Sequence, residues 1–182
     1  MTGFLDITLG CMFSGKTTRL INKYHELKEN QSVLCVNHGF DKRYNDGSML
    51  SSHDKQEIPC ILIDDLHEQW FFRESEYYNS LHKHNYILIN EAQFFGKLKI
   101  IILDMLKNGK QVYLYGLDGD FRQQKFGEML DLIPYCDNVE KLYATCSKCN
   151  GKAIFSHRLE NNCDQILIGV NNYIPLCRKC FP

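Results

Sequence analysis

Gly10, Cys11, Met12, Phe13, Ser14, Gly15, Lys16 and Thr17 fit the spacing G-x-x-x-x-G-K-[ST] at every fixed position. The chemistry of that spacing is phosphate binding. Gly10 and Gly15 let the backbone wrap closely and turn its N–H groups inward, and a helix N-terminus behind them completes an anion nest. Lys16 brings a point charge to the β- and γ-phosphates, and Thr17 offers a hydroxyl to Mg²⁺. ATP or GTP is the ligand this implies. A chance glycine turn before a helix is the bland alternative, and the apolar strand before the motif and the helix after it weigh against that.

Tyr86, Ile87, Leu88 and Ile89 form an apolar run that ends in Asn90 and Glu91. In a phosphate-loop fold this is where a carboxylate meets the Mg²⁺ shell. Asn90 can accept a hydrogen bond from a metal-bound water but brings no charge. Glu91 is therefore the acid at this strand end, placed to take a proton from an attacking hydroxyl. Capping the next segment or pairing with a lysine is the alternative for Glu91.

Two C-x₂-C pairs, Cys146/Cys149 and Cys177/Cys180, are separated by 27 residues. Four thiolates in two knuckles suit a tetrahedral structural Zn²⁺ with no open position for chemistry. A redox pair is the competing reading, and no thioredoxin-like pattern supports it. The chain has nine cysteines, an odd number, and its start has no basic leader, so a disulfide framework is a poor reading. Cys35, Cys60, Cys136 and Cys163, with Cys11, read as small buried or partly buried residues. Phe94, Phe95 and Phe121 fit equally a core or a stacking platform for a flat ligand.

The elements that position these residues alternate in type. Strands are expected at 4–9, 33–36, 61–63, 86–89, 112–115 and 139–145. Helices are expected at 16–29, from 64–65 towards 82, and at 98–106, with a long polar loop over 38–57. The alternation predicts an α/β fold of the P-loop NTPase (RecA-like) kind: a mostly parallel sheet with helices on both faces and ligands at the carboxyl ends of the strands. Gly10, Asn90, Glu91, Asp118 and Asp120 all fall just past such ends. A boundary is expected near Cys146, dividing an α/β nucleotide-binding domain (1–145) from a small zinc-binding substrate lid, or lasso (146–182).

At 182 residues, 44 % hydrophobic and 24 % charged, the chain has the means for one ordinary core. Twenty-one basic against twenty-two acidic residues leave a net charge of −1, which argues against a protein that coats nucleic acid. A zinc-ribbon P-loop ATPase acting on nucleic acid is the main rival reading, and a nucleotide-binding module without turnover is a second. Mean hydropathy is −0.34 and no apolar run nears the roughly 18 residues of a membrane span. No membrane partner is expected, and a soluble intracellular protein is.

Several blocks together resemble thymidine kinases of the cytosolic cellular and poxvirus type. They are GCMFSGKTT from Gly10, NEAQFF from Asn90, LDGDFRQQKFGE from Leu117, and the knuckles CSKC and CRKC enclosing IGVNNYI from Ile168. The resemblance covers nearly the whole length. It implies transfer of the ATP γ-phosphoryl group to the 5′-hydroxyl of thymidine, giving thymidine monophosphate. Glu91 falls at the family's general-base position. Beyond the loop 10–17, the resemblance assigns Asp54, Lys55, Asn90 and Gln93 to the ATP side. Lys55 stands where many relatives have Arg and lacks the bidentate fork. To the thymidine side it assigns Met12, Phe94, Leu117, Phe121, Ser156, Ile166, Leu167, Ile168, Gly169 and Tyr173. Zn²⁺ would then hold the two ends of the lid. The resemblance also implies a homo-oligomer, commonly a tetramer, inhibition by thymidine triphosphate, and a cytoplasmic enzyme (host cytoplasm for a viral one).

Overall fold

The α/β alternation expected from the sequence is present in the computed structural model, which describes residues 2–40, 49–52, 55–161, 163–167, 169 and 172–182. In chain order the first half runs β1 (Phe4–Gly10), α1 (Lys16–Lys28), β2 (Val33–His38), β3 (Met49–Ser51), β4 (Glu57–Pro59), β5 (Ile61–Ile63), α2 (Leu66–Phe71) and α3 (Tyr78–Lys83). The second runs β6 (Tyr86–Ile89), α4 (Leu98–Lys107), β7 (Gln111–Gly116), β8 (Asn138–Leu142), β9 (Ala144–Thr145), β10 (Lys152–Ala153), β11 (Phe155–Arg158) and β12 (Tyr173–Leu176). Short 3₁₀ turns at Ala92–Phe94 and Met129–Tyr135 connect them.

Six strands form one sheet in the order β5-β2-β6-β7-β1-β8, and every neighbouring pair is parallel. All carboxyl ends therefore open on one edge. Side chains alternate across a strand, and the sequence exploits this. Leu5, Ile7 and Leu9 of β1 join Val36, Ile87, Ile89, Val112 and Leu114 in one core, which is closed by α2, α3 and α4 through Trp70, Leu81 and Ile101. The residues between them, Cys35, Leu88, Tyr113 and Tyr115, face the other core under Leu20, Ile21 and Tyr24 of α1. No helix among the described residues is long and apolar enough to cross a membrane.

Three elements differ from expectation. The polar stretch 38–57 contains a strand pair, since β3 and β4 are antiparallel and bury Leu50 and Ile58 against α1. The expected helix from 64 to 82 is two helices, because the chain turns at Ser75, whose Oγ donates to the Phe72 carbonyl at 2.7 Å, and at Tyr77, whose N–H donates to Gln69 Oε1 at 2.8 Å. The expected strand 139–145 is broken between Leu142 and Ala144, and its last two residues pair with β10 instead. Cys146, near which a boundary is expected, lies between β9 and β10. Cys163, expected at least partly buried, is exposed.

Candidate active site

The loop after β1 adopts left-handed backbone at Phe13 (φ 65°) and Gly15 (φ 85°). Gly10 is forced by space: a Cβ there would stand 2.5 Å from Ser14 Oγ and 2.9 Å from the Leu142 carbonyl. Lys16 opens α1, is 9 % exposed, and donates to the carbonyls of Gly10 (3.1 Å) and Cys11 (2.8 Å). Ser14 Oγ is buried and has no hydrogen-bond partner among the described residues. A buried hydroxyl left unpaired inside a nest of N–H groups fits a phosphate oxygen as its partner. Burial pushes the Cys11 thiol up against the pull of Lys16. The protonated sulfur donates to the Ala153 carbonyl at 3.5 Å.

On the far side of β7 from β1, β6 delivers Asn90 and Glu91. Asn90 is 2 % exposed; its Nδ2 donates to Asn37 Oδ1 at 3.0 Å. Glu91 takes left-handed backbone (φ 50°, ψ 39°) as the chain enters the 3₁₀ turn. Gln93, 3 % exposed, donates from Nε2 to Glu91 Oε2 at 2.6 Å and accepts the Leu117 N–H on Oε1 at 3.0 Å. It therefore ties the carboxylate to the end of β7.

These ends meet in a cavity of about 460 Å³, within the usual size for a small-molecule site. Of the residues singled out from the sequence, its walls gather Met12, Phe13, Ser14, Gly15, Lys16, Thr17, Glu91, Phe94, Leu117, Asp120, Phe121, Ser156, Ile166, Leu167, Gly169 and Tyr173. Gly10 and Cys11, at the start of the motif, are not in the wall. Asn90, Gln93 and Lys55 are not in the wall; Lys55 has left-handed backbone (φ 59°) and its N–H donates to the Ser52 carbonyl. Asp54 and Ile168 fall outside the described residues.

The wall also takes residues the sequence reading passed over. Phe40 and Phe126 meet Phe94 edge-on, at 5.6 and 5.4 Å between ring centres. Gln165 lines the cavity and donates to Asp120 Oδ2 at 2.9 Å. Arg158, behind Phe121 and Tyr173, is 6 % exposed. A lone arginine and a lone glutamine carry no pattern in a sequence. Only the aromatic spacing around residue 94 could have pointed to the ring cluster. Next to it, His38 packs at a tilt against Phe40 and Phe95, with ring centres 4.6 and 4.7 Å apart. Burial holds its imidazole below the usual value against the opposing pull of Asp64 and Glu91.

The four cysteines of the two knuckles come together: their Sγ atoms all lie within 4.8 Å of one another, with Cys149 and Cys177 at 3.5 Å. A tetrahedron with Zn–S bonds of about 2.3 Å has edges of about 3.8 Å, so the cluster fits that ion. Backbone N–H groups, that of Cys177 first, hold the Cys146 thiol down to about 6, whereas the neighbouring thiols push Cys180 up to about 12. Four bare thiolates cannot all ionise side by side, and a cation among them removes the conflict. Cys146, Ala153 and Leu176 form a small core of their own beside the cluster.

A family model described as "Thymidine kinase" matches residues 3–181. Thymidine kinase a of Arabidopsis thaliana is 37 % identical over 183 residues, covering 98 % of this chain and 74 % of its own. Thymidine kinase 1 of Dictyostelium discoideum is 34 % identical, covering 100 % and 78 %. The thymidine kinase of Yaba monkey tumor virus (strain VR587) is 36 % identical, covering 99 % and 95 %. Among solved structures, a Bacteroides Pif1 bound to ssDNA superposes with a TM-score of 0.35 at 15 % identity, over 78 % of this chain and 38 % of that one, too slight a likeness to bear on fold or function.

Proposed function

The chain belongs to the thymidine kinase family and phosphorylates thymidine, and we propose that the donor is ATP and that Glu91 is the general base. The observation that carries this reading is that one cavity holds both the phosphate-loop residues Lys16 and Thr17 and, across it, Glu91 with the aromatic wall of Phe121 and Tyr173. Thymidine lies along that wall with its 5′-hydroxyl towards Glu91. The carboxylate takes the hydroxyl proton while O5′ bonds to the γ-phosphorus. The bond from that phosphorus to the β–γ bridging oxygen breaks, and ADP leaves. Lys16 and the loop N–H groups offset the charge that develops on the phosphoryl oxygens.

Thr17, in the cavity wall, would hold Mg²⁺ through its hydroxyl, and the ion would supply positive charge beside the phosphates. Cys146, Cys149, Cys177 and Cys180 would hold Zn²⁺ as a structural ion, since four thiolate ligands would leave it no open position for chemistry. The same reading includes a homo-tetramer, feedback by thymidine triphosphate and a cytoplasmic site of action, and its support there is family membership.

The test is transfer of labelled γ-phosphate from ATP to a panel of nucleosides with Mg²⁺. Thymidine takes the label and purine nucleosides take little. Glu91→Gln keeps ATP binding and loses about 10²–10⁴-fold in kcat, the usual worth of a general base. Near-normal turnover in that variant removes Glu91 from the role, and zinc-loaded protein that binds ATP but labels no nucleoside overturns the reading.

A further inference from the structure

Arg158 ends β11 directly opposite Tyr173 of β12. Its Nε and Nη2 both donate to Tyr173 Oη, at 3.0 and 2.6 Å. Nη1 donates to the Asp164 carbonyl at 2.5 Å and Nη2 to the Gln165 carbonyl at 3.1 Å. The same guanidinium lies on the Phe121 ring, with Cζ 3.7 Å from the ring centre. Tyr173 passes the restraint on, since its hydroxyl donates to the Leu167 carbonyl at 3.2 Å. One planar cation thus fixes two aromatic walls of the cavity and the backbone of the segment 164–167 between them.

Two neighbours reinforce the arrangement. Arg122 Nη2 donates to the Cys163 carbonyl. Asp120, its Oδ1 held by the N–H groups of Arg122 (2.8 Å) and Gln124 (3.0 Å), receives Gln165 Nε2 on Oδ2. Carbonyls 163, 164, 165 and 167 are all taken by side chains that reach in from elsewhere in the fold.

We propose that Arg158 is a positioning residue for the nucleoside: it forms the Phe121–Tyr173 wall and the 164–167 segment before any ligand arrives. This rests on the reading of the cavity as a nucleoside site. Pre-forming the wall removes its ordering cost from the binding step. The task needs arginine, because a lysine ammonium cannot stack on one ring while donating in plane to three different acceptors.

Two readouts test this. In steady-state kinetics, Arg158→Lys and Arg158→Met raise KM for thymidine about 10–100-fold, as expected for loss of several charge-assisted hydrogen bonds. They leave KM for ATP and kcat within about threefold, since neither contact is made to the phosphates or to the reacting oxygen. In hydrogen exchange on ligand-free protein, peptides covering 163–167 exchange about tenfold or more faster in Arg158→Lys, as local opening becomes easier. Zinc content and Tm are measured on each variant. Tyr173→Phe, which removes only the shared oxygen, gives an intermediate increase in both readouts and stands in where an Arg158 variant does not fold. A merely structural arginine lowers Tm but leaves KM for thymidine in place, and that result overturns the proposal. Unchanged exchange at 163–167 overturns it as well. Wild-type protein that transfers no phosphate to thymidine refutes the function instead, while the exchange measurement still decides the role of Arg158.

Discussion

Glu91 holds its carboxylate from a backbone conformation that costs a non-glycine residue about 1–3 kcal/mol. Glu91 takes this left-handed turn at φ 50° and lines the cavity, and Gln93 holds its carboxylate. Gln93→Ala removes the 2.6 Å bond to Glu91 and the anchor on Leu117 together. Its kcat should fall about tenfold, the share expected of a group that only orients the base, with KM for ATP unchanged. Equal loss in kcat and in ATP affinity would instead place Gln93 on the phosphate side. At this scale the sequence makes the acid legible and not its support. Glu91 stands after an apolar run, a position with meaning in itself. Gln93 acts through Leu117, 24 residues away, and Arg158 acts through a segment that folds back onto it. Neither pairing exists until the sheet has formed.

The elements that carry the site were legible where they are long and periodic. β1, α1, β6, β7 and α4 bury alternate or helically spaced apolar residues, and the expected spans match the observed ones to within a few residues. The β3–β4 pair was hidden because only Leu50 and Ile58 face the core and polar residues surround them. The 3₁₀ turn at Met129–Tyr135 buries Met129 and Leu132 with too short a repeat to be read. Close packing between such connectors makes two predictions. Gly127 has φ 61°, and a Cβ there would lie 2.2 Å from the Gln93 carbonyl oxygen. Gly127→Ala should therefore cost more than about 1 kcal/mol in stability and reduce kcat by displacing Gln93, both visible in a melt and a turnover assay. The second concerns β2, whose last residue, His38, accepts the Phe40 N–H on Nδ1 at 3.1 Å. The folded state lowers its pKa from 6.5, chiefly by burial, with Asp64 and Glu91 opposing. Below pH 6.5 the unfolded chain takes up a proton that the folded chain resists. This contribution to stability is full above 6.5 and is lost as pH falls through the lower folded value. Wild-type Tm should drop more steeply below pH 6.5 than that of His38→Gln, and parallel Tm profiles would assign the acid sensitivity to other groups.

Across the whole molecule the two parts of the site are joined more tightly than a hinged lid requires. β8 runs beside β1 and leads directly into β9, so the cysteine module follows the phosphate-loop strand. Among the described residues two bonds cross between them: Met12 N–H donates to Ser156 Oγ at 2.9 Å, and the Cys11 thiol reaches the Ala153 carbonyl. The linear division into a nucleotide half and a zinc half conceals this, because the contacts span more than 140 residues. With Zn²⁺ holding the two ends of the lid, as the resemblance implies, its loss would be expected to weaken nucleoside binding more than ATP binding. With the crossing bonds in place, freeing the two knuckles also removes support for the backbone of Cys11 and Met12. Chelation should then weaken ATP binding as well as thymidine binding, and restoring Zn²⁺ should recover both together. Calorimetric titration of each ligand, before chelation, after it and after zinc is returned, measures this. Intact ATP affinity beside lost thymidine affinity would show that the phosphate loop holds its shape without the module. The two crossing bonds would then be consequences of packing rather than supports of the cradle.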